Sequence, residues 1–101
     1  MADINVAPGD IGAYEIQLTA GEVTTVTFHN LPGYTGNTLQ VSVHSGNAPV
    51  YVKPGNTVTA RDPKSVVVNA GTWLDIDTGY GNTGTISLTS DANAIVSVAR
   101  T

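Results

Sequence analysis

The chain has 101 residues, a net charge of -4 from four basic and eight acidic residues, no cysteine, and a hydrophobic fraction of 41%. One domain fits this length, and the lack of cysteine excludes a disulfide scaffold, cysteine zinc sites and thiol catalysis. The basic residues are too few for the clustered phosphate contacts of nucleic-acid binding, and no apolar run approaches the roughly 18–20 residues of a membrane span.

Val, Ile and Thr dominate, with Gly, Asn and Pro as punctuation. Branched side chains suit a pleated, half-buried surface. No stretch repeats apolar residues at i, i+3, i+4 and i+7 over three turns, whereas alternation recurs throughout. Ile4-Asn5-Val6 alternates and ends at Ala7-Pro8-Gly9-Asp10, so residues 1–10 read as a first strand or an extended arm. Tyr14-Glu15-Ile16-Gln17-Leu18 puts Tyr14, Ile16 and Leu18 on one face. The turn residues Thr19-Ala20-Gly21-Glu22 then lead into Val23–Phe28, with Val26 and Phe28 inward, and the two strands read as a β-hairpin.

A loop over 30–37 precedes Leu39, Val41 and Val43, which alternate with Gln40, Ser42 and His44. Val50-Tyr51-Val52 is a short strand, and Thr57–Ala60 is its expected continuation. Ser65-Val66-Val67-Val68 is apolar on both faces, which predicts a position in the middle of a sheet. Thr72–Ile76 alternates, a second glycine-rich loop covers 78–84, and Thr85–Thr89 and Ala94–Ala99 close the chain. Seven to nine short strands with turn signals every 8–12 residues predict a single all-β domain over 1–101. The expected fold is an antiparallel β-sandwich, jelly-roll-like or immunoglobulin-like. The paired cysteines of true immunoglobulin domains are missing.

Little site chemistry is visible. His29 and His44 sit at strand ends with no serine elbow, and turn hydrogen bonding is their expected role. Asp75 and Asp77 share one face of a strand. With Asp91 or Asp62 they have the oxygen chemistry for calcium, but no calcium-loop pattern accompanies them, so solvent-facing acids are expected. Gly79-Tyr80-Gly81-Asn82-Thr83-Gly84 matches a dinucleotide fingerprint by letter, yet a strand follows where that motif needs a helix. Trp73 reads as core, with a stacking platform as the alternative. The expectation is a non-enzymatic chain with no metal and no cofactor.

What remains is contact. Ala2–Pro8 has the length and character to add as a strand to a neighbour's sheet edge, which makes Ile4 and Val6 candidate partner-binding residues. Gly33-Tyr34-Thr35-Gly36-Asn37-Thr38 echoes Gly79-Tyr80-Gly81-Asn82-Thr83. Tyr34 and Tyr80 are therefore candidates for inter-subunit contact or outward display.

Over residues 48–100 the chain reads Val50-Tyr51-Val52, Val68-Asn69-Ala70-Gly71, Ser87-Leu88-Thr89-Ser90 and Val96-Ser97-Val98. In this it resembles small structural proteins of tailed bacteriophages, with their VYV strand, V-x-A-G turn, S-L-x-S strand and final V-S-V strand. The resemblance implies a virion protein, a head decoration (cement) protein that binds the outer capsid surface and bridges major capsid subunits. It also implies a homo-oligomer, a trimer being one such state, and assembly in the host bacterial cytoplasm. The start Met1-Ala2-Asp3-Ile4, which lacks the basic and apolar regions of a secretory signal, agrees with that expectation. The alternatives are a tail component and a carbohydrate-binding or adhesion module. In the latter, Tyr34, Tyr80 and Trp73 would stack on a glycan beside Asn37 and Asn82. An enzyme would have to use Asp75 and Asp77. Neither nucleic acid nor membrane is an expected partner.

Overall fold

The computed structural model describes residues 2–7, 10–28, 38–55, 57–77 and 84–100. Among them are nine strands and no helix: β1 (Ala2–Val6), β2 (Gly12–Leu18), β3 (Thr24–Phe28), β4 (Thr38–Gly46), β5 (Val50–Pro54), β6 (Val66–Val68), β7 (Trp73–Asp77), β8 (Gly84–Ser90) and β9 (Ala94–Arg100). They form a β-sandwich, with a five-stranded sheet ordered β1-β3-β8-β5-β6 against a four-stranded sheet ordered β2-β9-β4-β7.

The pairing is nested. β5 pairs β6, β4 pairs β7, β3 pairs β8 and β2 pairs β9, all antiparallel. One long double strand is thus rolled into two sheets, the arrangement of a jelly roll. This topology decides between the two sandwich types that the sequence leaves open. β1 stands outside the nest and runs parallel to β3, from Ala2 opposite Thr24 to Val6 opposite Phe28. Asp3 takes a hydrogen bond from the Thr25 hydroxyl across this pair.

Two expectations about neighbours are corrected. β2 and β3 are not a hairpin, because they belong to different sheets. The turn between them bonds Glu22 N–H to the Thr19 carbonyl, and Gly21 N–H to the Ser90 carbonyl. Gly21, at φ 76°, supplies the left-handed residue that carries the chain across the sandwich. Likewise Ser65–Val68 is not central: β6 is a three-residue edge strand with Val67 half exposed. Thr57–Ala60 does not extend β5 either, although Val58 is buried.

The core lies between the sheets. Val26, Val41, Val50, Val52, Ile86, Leu88, Val96 and Val98 are fully buried there. Burying each such side chain is worth roughly 1.5–3 kcal/mol relative to leaving it in water. The two outer faces differ. On the five-stranded sheet, Tyr51, Ser87 and Thr89 point away from the core yet are buried, as is Val58 outside the core cluster. The segment after β5 is fastened near this face by Gly55 N–H to the Thr85 carbonyl, and by a 3.2 Å Lys53–Asp62 ion pair. On the four-stranded sheet, Tyr14, Gln17, His44, Ser45, Trp73 and Asp75 are exposed.

Candidate functional site

The open face owes its chemistry to two β-bulges. In β2, Ala13 lies opposite Val98 and Ile16 opposite Val96, so Tyr14 and Glu15 together face Ser97. Glu15 takes φ 53°, a left-handed conformation uncommon for a residue with a Cβ. The extra residue resets the alternation. Ala13 and Ile16 both pack on the core, and Tyr14 is turned outward at 71% exposure. Strict alternation places Tyr14 with Ile16 and Leu18, and the bulge is the reason that this fails. In β4, Val43 faces Val96 and Ser45 faces Ile95, which leaves His44 as the extra residue there.

A short network ties the bulges together. The Glu15 N–H donates to Ser97 Oγ at 3.1 Å. Ser97 Oγ lies 2.7 Å from His44 Nε2. The His44 ring meets the Tyr14 ring edge-on, with centroids 5.5 Å apart and planes at 79°. Each link fixes the next, from backbone to hydroxyl to imidazole to phenol ring. A serine bonded to a histidine is also half of a nucleophilic site. Among the described residues, however, no carboxylate bonds the other ring nitrogen of His44. Ser97 Oγ is occupied by the bulge amide. The pair braces the bulge amide on one side and the Tyr14 ring on the other.

Ser42 lies opposite both Trp73 and Ser97, so a row crosses the sheet from Trp73 through Ser42 and Ser97 to Tyr14. At about 4.8 Å per strand, its aromatic ends sit on strands roughly 14 Å apart. Trp73 is 60% exposed, which corrects its expected place in the core. On β7 Ile76 is buried opposite Leu39; Leu74, opposite Val41, shares that side of the strand but stays 39% exposed at the sheet edge, and Trp73 and Asp75 face out. Beside this row lies a cleft of about 360 Å³. Gln17, Thr19, Ser45, Asn93 and Ile95 line it, with Leu18 and Ala94 beneath, and none of these is charged.

The residues singled out in the sequence fall elsewhere. Val6 is part of the core and Ile4 packs partly against it, so both touch this chain's own interior. Tyr34, Tyr80, Asn37, Asn82 and His29 lie outside the described residues. The acids are dispersed. Asp91 pairs with Arg61 at 3.0 Å. Asp62 accepts from Lys64 N–H at 2.9 Å and from Lys53 Nζ. The amide of Lys64 holds its carboxyl below the ordinary aspartate range, burial opposes this, and the Lys53 ammonium adds to it. Among the described residues no group of three His, Cys, Asp or Glu side chains is placed to hold a metal ion, and no helix is long and apolar enough to cross a membrane.

Sequence reasoning missed Tyr14, Ser97 and the cleft. No residue type within Gly12–Leu18 marks a bulge. No protein-family model matches the chain, and no curated protein or solved structure matches it.

Proposed function

We propose that this chain is a non-enzymatic structural protein of a virion, a head decoration protein that binds the outer surface of a phage capsid and bridges its major capsid subunits. One observation of the structure carries the bridging part. The large hydrophobic residues left exposed among the described residues are Ile11, Tyr14, Val67, Trp73 and Leu74, and all lie on or beside edge strands. β1 contacts β2 at one side of the sandwich, and β6 contacts β4 at the other. Ile11 thus marks one side, and Val67, Trp73 and Leu74 mark the opposite one. Apolar edges are normally blunted by charge or covered by a partner. Two of them on opposite sides of one small body suit a protein that touches two neighbours. Such head-to-tail contacts between copies also close into rings, a trimer among them.

The phage assignment rests on the strand motifs of residues 48–100. The jelly roll is compatible with it, because viral capsid domains use that fold, although a fold alone does not assign a function. A ligand that binds only the assembled shell stabilises the shell by mass action. The test is a density map of the parent particle. The expected result is this chain on the outer head surface, with the β6/β7 edge and the Ile11 side against different subunits. Absence from the head, or a position in the tail, overturns the proposal.

A further inference from the structure

We propose that the cleft on the four-stranded sheet, together with the Tyr14 ring at its side, is a binding site for a neutral saccharide. This goes beyond capsid bridging and does not depend on it.

The bulge is the first reason. An unbroken β2 would send every second residue inward and leave this face without its aromatic ring on β2. Instead Glu15 sits at φ 53°. Such a conformation persists only where its surroundings hold it, and it is concentrated at functional sites. Here the Ser97 hydroxyl holds it, through the Glu15 amide. The consequence is a tyrosine turned into water and braced by a T-shaped contact with His44. Bracing matters because an aromatic ring that is already fixed loses little entropy when a ligand stacks on it.

The cleft supplies the other half. Ile95 stands two residues from Ser97 on β9, and Ser45 follows His44 on β4, so the cleft lies on the same face as the braced ring, one step along the strands from it; Tyr14 and His44 flank the cleft rather than line it. Gln17, Ser45 and Asn93 offer amide and hydroxyl groups, and Ile95 offers an apolar wall. Asn93 Oδ1 is engaged by the Ala20 amide, which fixes the side chain with its NH₂ group still to donate. None of the chain's four basic residues lines the cleft, and the chain is acidic overall. A phosphate or carboxylate would find no counter-charge here. A pyranose ring meets the demands instead: its C–H face stacks on an aromatic ring, and its hydroxyls pair with amides and hydroxyls. The volume is at the lower end of small-ligand sites, which suits one or two sugar units.

The test is an amide NMR titration of the full chain with cellobiose, lactose, maltose and N,N′-diacetylchitobiose, with a heparin disaccharide as the anionic comparator. Sugars are taken to about 10 mM, above a millimolar Kd. At least one neutral sugar should give saturable shifts at Gln17, Ser45, Asn93 and His44. Tyr14→Ala should weaken that binding about tenfold, and Tyr14→Phe should retain it, because the ring face does the work. Tyr14 is exposed, so both variants should keep the wild-type spectrum elsewhere. Ser45→Trp, which fills the cleft from an exposed position, should abolish binding without lowering the melting temperature. The proposal is overturned if none of the four neutral sugars shifts these residues, if Tyr14→Ala binds as well as wild type, or if only the heparin fragment binds.

Discussion

Gly12 opens β2 immediately before the bulge, and Gly12→Ala tests how tightly that strand is seated on β9. A Cβ at this position would lie 2.7 Å from Ala99 Cα and closer still to the Val98 carbonyl oxygen. Both are backbone atoms of the central strand of the sheet, so no side chain can rotate out of the way. The strands must separate by an ångström or more, and the adjacent 2.8 Å bond from Arg100 N–H to the Ile11 carbonyl must stretch or break. Overpacking of this kind costs about 1–3 kcal/mol, and a lost hydrogen bond adds about 1 kcal/mol. The expected loss is therefore about 2–4 kcal/mol, a large part of the roughly 5–15 kcal/mol of a typical domain. Gly21→Ala is the control: that glycine has φ 76° and nothing within 4 Å of the added carbon, so only the left-handed backbone penalises it, by about 1 kcal/mol. Urea unfolding followed by far-ultraviolet circular dichroism measures both, with an unchanged m-value as the sign of a two-state comparison. The reasoning fails if Gly12→Ala unfolds within about 0.5 kcal/mol of wild type, or if Gly21→Ala is the more damaging of the two.

Ser97→Ala should cost about 0.5–1.5 kcal/mol, the net worth of its hydrogen bond to the Glu15 amide. Hydrogen exchange at that amide should accelerate, and unaltered exchange would refute the network. Asp62→Asn should melt below wild type at neutral pH. The folded carboxyl titrates below its ordinary value, so its stabilisation is complete above about pH 4 and is lost as acid takes the pH through the lower folded value. The gap between the two proteins should narrow in acid, and a gap of constant size would remove the assigned cause. Trp73→Ala should stay within about 0.5 kcal/mol of wild type, while losing affinity for capsids under the bridging proposal. Sedimentation with heads stripped of the chain reads that loss, and undiminished binding would take Trp73 out of the contact.

The parts legible in the sequence are those where alternation is unbroken. Leu39, Val41 and Val43 all face the core as the pattern requires, and so do Val96 and Val98. The turns that set strand number are local chemistry, read from Gly, Pro and Asn. What stayed hidden has two physical sources. A bulge shifts the phase of a strand without a sequence mark of its own, and so Tyr14 changes sides. Position within a sheet depends on distant partners: Val66–Val68 has the apolar character of a central strand and sits at an edge, and Trp73 on another edge strand faces water. The Ser97–His44 contact joins residues 53 apart in sequence, and only the finished register brings them together.

The nested pairing of the strands also orders assembly. β5 and β6 are joined through 55–65, whereas Gly12 must find Ala99 almost the whole chain away. Closing the longer loop carries the greater entropic cost, and contacts between distant residues are typically made late. The β2–β9 seam is therefore expected to form late, and as an edge pairing it is expected to open early. Tyr14, Glu15 and Ser97 all straddle that seam. Ile16 and Leu18 of β2 are buried in the core, so opening this seam would dissolve the Tyr14 platform and uncover the interior in one step. A ligand that engaged this face would therefore fasten the strand that closes the sandwich, and would stabilise the whole domain by mass action.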